Sequence, residues 1–312
     1  MRILFWGTPA FAVPSLRAVY EEGHDIVGVV TQPDRPAGRG RALRPSAVKA
    51  LAEAESMPVL QPERPAGDDF EGRVRELAPD VSVVVAYGRI LRRSVLDLAP
   101  MGSLNVHASL LPELRGAAPI NWAIVRGYEH TGVTIMRMVE ELDAGPILYQ
   151  VEEPILPDET ASELTARLAE VGAEALVAAL ALLEVDGLEQ REQDGGRATY
   201  APRIVRQTAR VDWNAPATEV ARHVRGMDAV PGAWTCLAGT EIKLFCPVAL
   251  DGEADGQPGV VLSAAAGQDR GVVVACGRGA VRIGQVKPAG KRRMDVDDWI
   301  RGRGVAEGDR FE

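Results

Sequence analysis

Apolar and polar positions change rhythm along the chain, and each rhythm predicts a different structure. In the first half, short apolar runs alternate with amphipathic stretches. Residues 2–6 are a first apolar run, followed by a turn at Gly7-Thr8-Pro9 and a helix through Ala18. Residues 25–31, "DIVGVVT", predict a second strand. Ser46 is placed to cap a helix running to about residue 55, before Pro58, and residues 68–77 predict another. Residues 80–87, "DVSVVVAY", are apolar and β-branched, as a strand buried on both faces should be. Residues 104–108 and 132–139 supply two more strands. The alternation predicts an α/β fold, an open and mostly parallel sheet with helices on both faces.

Residues 160–184 read as one long helix. Thr160 and Glu163 have the spacing of a capping box. Leu164, Leu168, Val171, Ala175, Ala179 and Leu182 recur at helical spacing, and Gly187 lies just beyond the end. Then "DGLEQREQDGGRATYAPR" loses periodicity and turns polar, so residues 189–206 are expected to be a linker between a domain at 1–188 and another at 207–312. The second domain has a short helix near 216–226, then β-rich runs including "EIKLFCPVAL", "GVVLSAA", "GVVVACG" and "AVRIGQV". Turn residues separate these runs, which predicts a small β-barrel or sandwich.

Composition narrows the class. At 312 residues, two domains can each bury a core, and 46% hydrophobic with 25% charged residues is ordinary for a globular protein. No apolar stretch approaches the roughly 20 residues that span a bilayer, so no membrane partner is expected. The opening "MRILFWGTPAF" lacks the apolar core and cleavage site of a signal peptide and reads as a strand entering a turn. The three cysteines, Cys236, Cys246 and Cys276, are odd in number and widely spaced. They predict neither a disulfide framework nor a metal site, and they fit a reducing cytoplasm. A monomer is the expected state.

Net charge is −9, which as a sum argues against nucleic-acid binding. Its distribution argues otherwise. Residues 31–49, "TQPDRPAGRGRALRPSAVK", hold five basic residues (Arg35, Arg39, Arg41, Arg44, Lys49) and one acid. Residues 278–293 hold six, Lys287, Lys291, Arg292 and Arg293 among them, and no acid. Each island alone reads equally as a solvated loop. Two on an acidic body suggest local contact with a polyanion.

The candidate chemistry lies in "NVHASLLPELRG", residues 105–116. On a strand, Asn105 and His107 point the same way while Val106 packs oppositely. In an open α/β sheet, ligands bind beyond such strand ends. Downstream, "DAG" makes a tight turn that offers Asp143, and a carboxylate beside an imidazole orients the ring. An amide, an imidazole and a carboxylate, with no nucleophilic Ser or Cys in a recognisable setting, suit direct acyl transfer to an incoming amine. Ser109 has no G-x-S-x-G elbow around it. Asn-x-His also occurs as a structural pair, and Asp143 as a plain turn residue, so both readings stand on spacing alone. His24, His130 and His223 read as structural. The first strand-to-helix turn, "GTPAFAVP", lacks the dinucleotide glycines, and no Walker sequence occurs.

From Asn105 to Gly145 the sequence resembles the folate-dependent formyltransferases. "NVHASLLPELRGAAPINWAI" and "TGVTIMRMVEELDAGPIL" are similar to the family's catalytic segment, with Asn105, His107 and Asp143 in the places of its active triad. "RILFWGTPAFAVPSL", the basic loop, "YAPRI", "RVDW", "VPGAW", "GKRRM" and "GDRF" extend the likeness over nearly the whole chain, closest to members that act on methionyl-initiator tRNA. The sequence departs from that pattern at Ala47, Arg203 and Asp228-Ala229-Val230. The resemblance implies a Rossmann-like formyltransferase domain and an OB-like C-terminal barrel. It also implies 10-formyltetrahydrofolate as formyl donor, no metal, and methionyl-initiator tRNA as acceptor. The folate site would use Tyr87, Ile90 and Leu91 from "AYGRIL" and Ser109, Leu110, Leu111 and Pro112 from the turn. The tRNA would meet Arg35, Arg39, Arg41, Arg44 and Lys49, with Lys287, Lys291, Arg292 and Arg293. A small-amine formyltransferase, a formyl-folate hydrolase and a non-catalytic RNA-binding module are the alternatives.

Overall fold

The computed structural model describes every residue except 38–41, 251, 253–255 and 268–270. Arg39 and Arg41 lie outside the described residues. The chain divides into two compact units. The first holds residues 1–119, 130–154 and 165–201; the second holds 120–129, 155–164 and 202–312.

The first unit is built on a seven-stranded sheet. In sheet order the strands are Ile147–Pro154, His130–Arg137, Ser103–His107, Val81–Val85, Arg2–Gly7, Asp25–Val30 and Val59–Leu60. The last five of these are parallel to their neighbours. His130–Arg137 runs antiparallel to Ser103–His107, and Ile147–Pro154 antiparallel to it in turn. This is the α/β fold with a mostly parallel sheet that the alternation predicts. Val81–Val85 is buried at every position, which is why it reads as a continuous apolar run. Strand order reverses between Arg2–Gly7 and Val81–Val85, and ligand crevices open at the carboxyl ends of strands at such a point.

The helix Ala161–Glu184 begins as the sequence predicts. Thr160 N–H donates to Glu163 Oε2 at 2.9 Å, and Glu163 N–H donates to Thr160 Oγ1 at 3.3 Å. Its buried face is wider than a single stripe: Leu168, Ala169, Ala173, Leu176, Ala179 and Leu180 are buried, whereas Leu182 is exposed. Ser46 caps Ala47–Ala54, accepting from Lys49 N–H at 3.0 Å.

Residues 189–201, expected to belong to a linker, are instead hydrogen-bonded into the first unit. Arg191 and Ile147 exchange both backbone hydrogen bonds, at 2.8 and 2.9 Å. Tyr200–Ala201 pairs in parallel with Arg115–Gly116. Loss of apolar periodicity signalled a linker, yet backbone pairing needs no apolar side chains.

The second unit carries an antiparallel sheet in the order Trp234–Leu237, Thr240–Leu250, Ala280–Pro288, Gly271–Ala275, Val261–Ala265, with Met294–Asp295 added to Ala280–Pro288. Helix Ala217–Gly226 buries Val220, Ala221 and Val224 in the same core as Leu244, Val272, Val281 and Ile283. Residues 308–312 then join the two sheet edges. Cys236 and Glu312 exchange backbone hydrogen bonds at 3.1 and 2.9 Å, while Phe311 N–H donates to Gly259 O and Val261 N–H to Asp309 O, both at 2.8 Å. Phe311 stacks on Trp213, ring centroids 5.6 Å apart, a contact worth about 0.5–1.5 kcal/mol beyond area burial. Among the described residues, no helix is long and apolar enough to cross a membrane.

Candidate active site

The strand Ser103–His107 fixes the first two groups. Val106 packs on the helix Ala161–Glu184 at Gly172, so Asn105 and His107 face the opposite side of the sheet. Asn105 is half-buried, and its amide makes no hydrogen bond among the described residues. His107 is 6% exposed. Its Nε2 lies 3.1 Å from the Leu114 carbonyl oxygen, which can only accept, so Nε2 carries a proton there. Nδ1 is left facing Asp143 Oδ2 at 3.7 Å. That is beyond hydrogen-bond reach and leaves the ring nitrogen open to a substrate or a bridging water.

Asp143 sits in the connection after His130–Arg137, in the left-handed region at φ 50°. The turn closes tightly: a Cβ on Gly145 would come 1.9 Å from the Arg137 carbonyl oxygen, so only glycine fits. Asp143 Oδ2 accepts from Gly116 N–H at 2.8 Å. One short segment thus holds both groups, Leu114 gripping the histidine and Gly116 the carboxylate. Gly116 itself has φ 117°, and a Cβ there would meet the Ala201 carbonyl oxygen at 2.8 Å.

The turn at 109–112 is supported from beneath. Thr134, fully buried and directly across from His107, donates to Ser109 O at 2.6 Å and accepts from Leu111 N–H at 3.2 Å. Gln150 donates to Leu111 O and to Thr134 Oγ1, both at 2.9 Å. Ser109 Oγ donates to Glu113 O, so its hydroxyl is spent on the turn. Leu111 and Pro112 are buried; Leu110 is half-buried.

The register of Val84 on Asn105 brings residues 86–88 up beside His107. Ala86 (φ 47°) and Gly88 (φ 81°) bend the chain there. Tyr87, expected to line the folate pocket, turns its ring inward instead. It is 1% exposed, packs edge-on against Trp6 at 5.3 Å, and has a hydroxyl without a partner whose pKa burial raises. Its carbonyl oxygen faces outward to Thr8 and Gln32. Leu91 is buried in the same core, so the exposed apolar side chains of "AYGRIL" are Ala86 and Ile90, the latter at 82% exposure. The pattern could not tell these apart, because a strand end that points aromatics inward reads the same as one that points them out.

The basic residues divide as well. Arg35 and Arg44 are exposed and lie directly opposite each other on a two-stranded ladder. In the second unit Lys243 and Lys287 are likewise opposite each other. Like charges so placed repel, which favours an anion nearby. The side chains of Lys287, Lys291 and Arg292 are exposed and make no hydrogen bond or ion pair among the described residues. Two expected RNA contacts are engaged elsewhere. Lys49 binds Asp34 at 2.7 Å and sits 3.7 Å from Glu53. Its bond to Asp34 raises the Lys49 pKa, and hydrogen bonds from Lys49 and Gln61 lower that of Asp34. Arg293 donates to Gln285 at 2.7 Å, lies 3.5 Å from Asp228 and stacks 4.0 Å over Phe245. Both are struts, because a nearby carboxylate captured each cation.

With this geometry in hand, comparison with known proteins is decisive. The family described as "Formyl transferase" matches residues 1–180, and "Formyl transferase, C-terminal domain" matches 203–304. The chain belongs to the formyl transferase family. It is 47% identical over 312 residues to a methionyl-tRNA formyltransferase of Thiobacillus denitrificans, covering 100% of this chain and 99% of the relative. It is 46% identical to the enzyme of that name from Methylococcus capsulatus, covering 98% of each. Among solved structures, HypX from Aquifex aeolicus in complex with tetrahydrofolic acid aligns with TM-score 0.66 at 23% identity, over 97% of this chain and 47% of that one. An N-formyltransferase from Helicobacter canadensis, complexed with folinic acid and dTDP-3-aminofucose, aligns with TM-score 0.68 at 16% identity, over 94% and 100%. Those two likenesses concern the fold alone.

The strand order places Asn105 and His107 at a carboxyl strand end, one strand from the reversal, but the groups that hold His107 and Asp143 are not visible in the sequence pattern. Leu114 and Gly116 act through backbone groups, which leave no side-chain signal. Thr134 reads as an ordinary residue of the strand at 132–139, and Gln150 lies outside the predicted strands. Arg115, at 5% exposure, needs a partner and finds it in Gln193, 78 residues along the chain, a pairing no local sequence pattern shows.

Proposed function

We propose that this chain transfers the formyl group of 10-formyltetrahydrofolate to the free α-amino group of methionyl-initiator tRNA, as a cytoplasmic monomer. The observation that carries the reading is similarity at 46–47% identity to enzymes named for this transfer, across both units. Likeness to the N-formyltransferase from Helicobacter canadensis is confined to the fold, at 16% identity.

The donor site is the bend at 86–90 and the turn at 109–112. A flat heterocycle with a polar edge needs an apolar wall and main-chain groups, and Ile90, Leu110 and the bent backbone at Ala86 and Gly88 suit it. When bound, the donor supplies a formyl carbon attached to a nitrogen that can leave. Asn105 donates its unengaged amide to the formyl oxygen as negative charge develops there; one such donor is typically worth about 10²–10³ in rate. His107 takes the proton that the amine loses, at Nδ1, and returns it to the departing nitrogen. A positioned acid-base group adds about 10²–10⁴. Asp143 faces the same nitrogen and stabilises the ring while it carries the extra proton. The amine itself is the nucleophile, so no covalent enzyme intermediate forms.

Arg35 and Arg44 in the first unit, and Lys287, Lys291 and Arg292 in the second, meet phosphates of the tRNA. Arg39 and Arg41 belong to the same basic loop by sequence. Such contacts carry no sequence information themselves and weaken with salt.

The test is formyl transfer from 10-formyltetrahydrofolate to methionyl-initiator tRNA, with methionyl-elongator tRNA and a small amine in parallel. Transfer to the initiator tRNA with a steep salt dependence is expected. Transfer confined to the small amine would keep Asn105, His107 and Asp143 and overturn the acceptor.

A further inference from the structure

The polar stretch after the long helix contains one residue that touches the site from behind. Gln193 donates from Nε2 to the Asp143 carbonyl oxygen at 2.9 Å and to the Gly145 carbonyl oxygen at 2.7 Å. These two oxygens bracket the left-handed turn that presents the Asp143 carboxylate. The Gln193 amide is itself oriented, because Arg115 donates to its Oε1 through Nε at 3.1 Å and Nη2 at 2.7 Å. Arg115 is 5% exposed, so this cation has been withdrawn from water to hold an amide.

The same stretch steadies the other groups. Thr199 Oγ1 accepts from Leu114 N–H at 2.9 Å, beside the carbonyl that grips His107. Arg191 donates to Gln150, which supports the 109–112 turn. A segment without apolar periodicity therefore backs three parts of one site, and Gln193 is the member that contacts the carboxylate's own turn.

Resting on the formyl-transfer reading, we propose that Gln193 is a positioning residue: clamped by Arg115, it holds the Asp143 turn so that the carboxylate faces His107 Nδ1. A turn built on a non-glycine residue at positive φ is strained and persists only when its surroundings fix it. Two hydrogen bonds to its two ends supply that restraint. Gln193 touches no reacting atom, so its loss should alter geometry and leave substrate binding unaltered.

The experiment compares wild type with Gln193→Met, which keeps length and removes both donors, and with Gln193→Glu, which keeps an acceptor for Arg115 but cannot donate to the carbonyls. Three readouts are taken on the full chain: kcat and KM for each substrate, thermal unfolding, and the ring 15N shifts of His107 without substrate. The expected result is a kcat lower by about 10- to 100-fold in both variants, the scale of a misplacement near 1 Å. KM values should stay within about two-fold, and the His107 ring shifts should move although Gln193 does not touch that ring. A kcat within two-fold of wild type, or unchanged His107 shifts with only a lower unfolding temperature, would overturn the proposal. A wild type inactive on methionyl-initiator tRNA would refute the transfer reading instead, and the ring shifts would still decide the role of Gln193.

Discussion

Two sets of polar side chains lie near strand ends, one after Ser103–His107 and one after Ala280–Pro288, and they are held in opposite ways. His107 is almost wholly buried, tied at Nε2 and faced by a carboxylate at Nδ1. Asp143 is fixed by a backbone N–H and its turn by a side-chain amide. The side chains of Lys287, Lys291 and Arg292 stand in solvent with no partner among the described residues. The difference fits the roles proposed for each set. Moving a proton needs atoms placed to within a fraction of an ångström. A phosphate backbone needs charge at roughly the right place, and flexible cations deliver it without a scaffold. Lys49 and Arg293 show the boundary within the basic islands, since a carboxylate close by turns a candidate RNA ligand into a strut.

Breaking the rigid set should do the most harm. His107→Ala is expected to lower kcat by about 10²–10⁴ with the fold intact by circular dichroism. If single-turnover transfer stays near normal, the assignment of proton transfer to His107 is wrong. Gly116→Ala should come next. It forces a side chain into positive φ against the Ala201 carbonyl, at about 1–3 kcal/mol of stability. It should also displace the N–H that holds Asp143, so activity measured on the folded fraction should fall too.

Breaking the loose set should act differently. Replacing Lys287, Lys291 and Arg292 together by Ala should raise KM for the tRNA while leaving kcat and thermal stability near wild type. The slope of log(kcat/KM) against log[salt] should flatten by roughly 0.7–0.9 for each phosphate that is no longer neutralised. An unchanged slope would show that these cations do not meet the tRNA.

The smallest effect concerns a histidine in neither set. His223 is buried in the second unit, its Nε2 has no partner, and burial lowers its pKa. The unfolded chain therefore binds this proton more readily than the folded one. Stability from a neutral His223 is complete above the unfolded value of about 6.5 and is lost as pH falls from there toward the lower folded value. Urea unfolding at pH 7.5 and 5.5 should show the loss, and His223→Gln should reduce it.

The sequence revealed the fold through its strongest periodicities. Residues 68–77 match the helix Asp68–Leu77, and "DVSVVVAY" contains the buried strand Val81–Val85. Asn105, His107 and Asp143 were legible as candidates because the proposed chemistry lies in their side chains. What holds them was not legible. Leu114 and Gly116 act through main-chain atoms, and Gln193 sits in a stretch whose polarity concealed its pairing with Arg115, 78 residues earlier. The expectation for Tyr87 rested on the resemblance and that for Lys49 on the charge of its island, and neither shows a neighbour in space: Tyr87 packs on Trp6 and Lys49 pairs with Asp34.

The joining of the second unit's sheet edges by residues 308–312 bears on how the protein is made. Thr235 and Glu312, bonded through Oγ1 and the carbonyl oxygen, lie 77 residues apart. A ribosome synthesises the first edge long before the segment that seals it. During that interval both margins of the sheet expose unpaired amides and carbonyls to any passing strand. Pairings so distant in sequence also form slowly. The nascent chain is therefore most vulnerable to misassociation late in its synthesis. A premature stop just before residue 308 would fix it in that state, with a sheet unable to close.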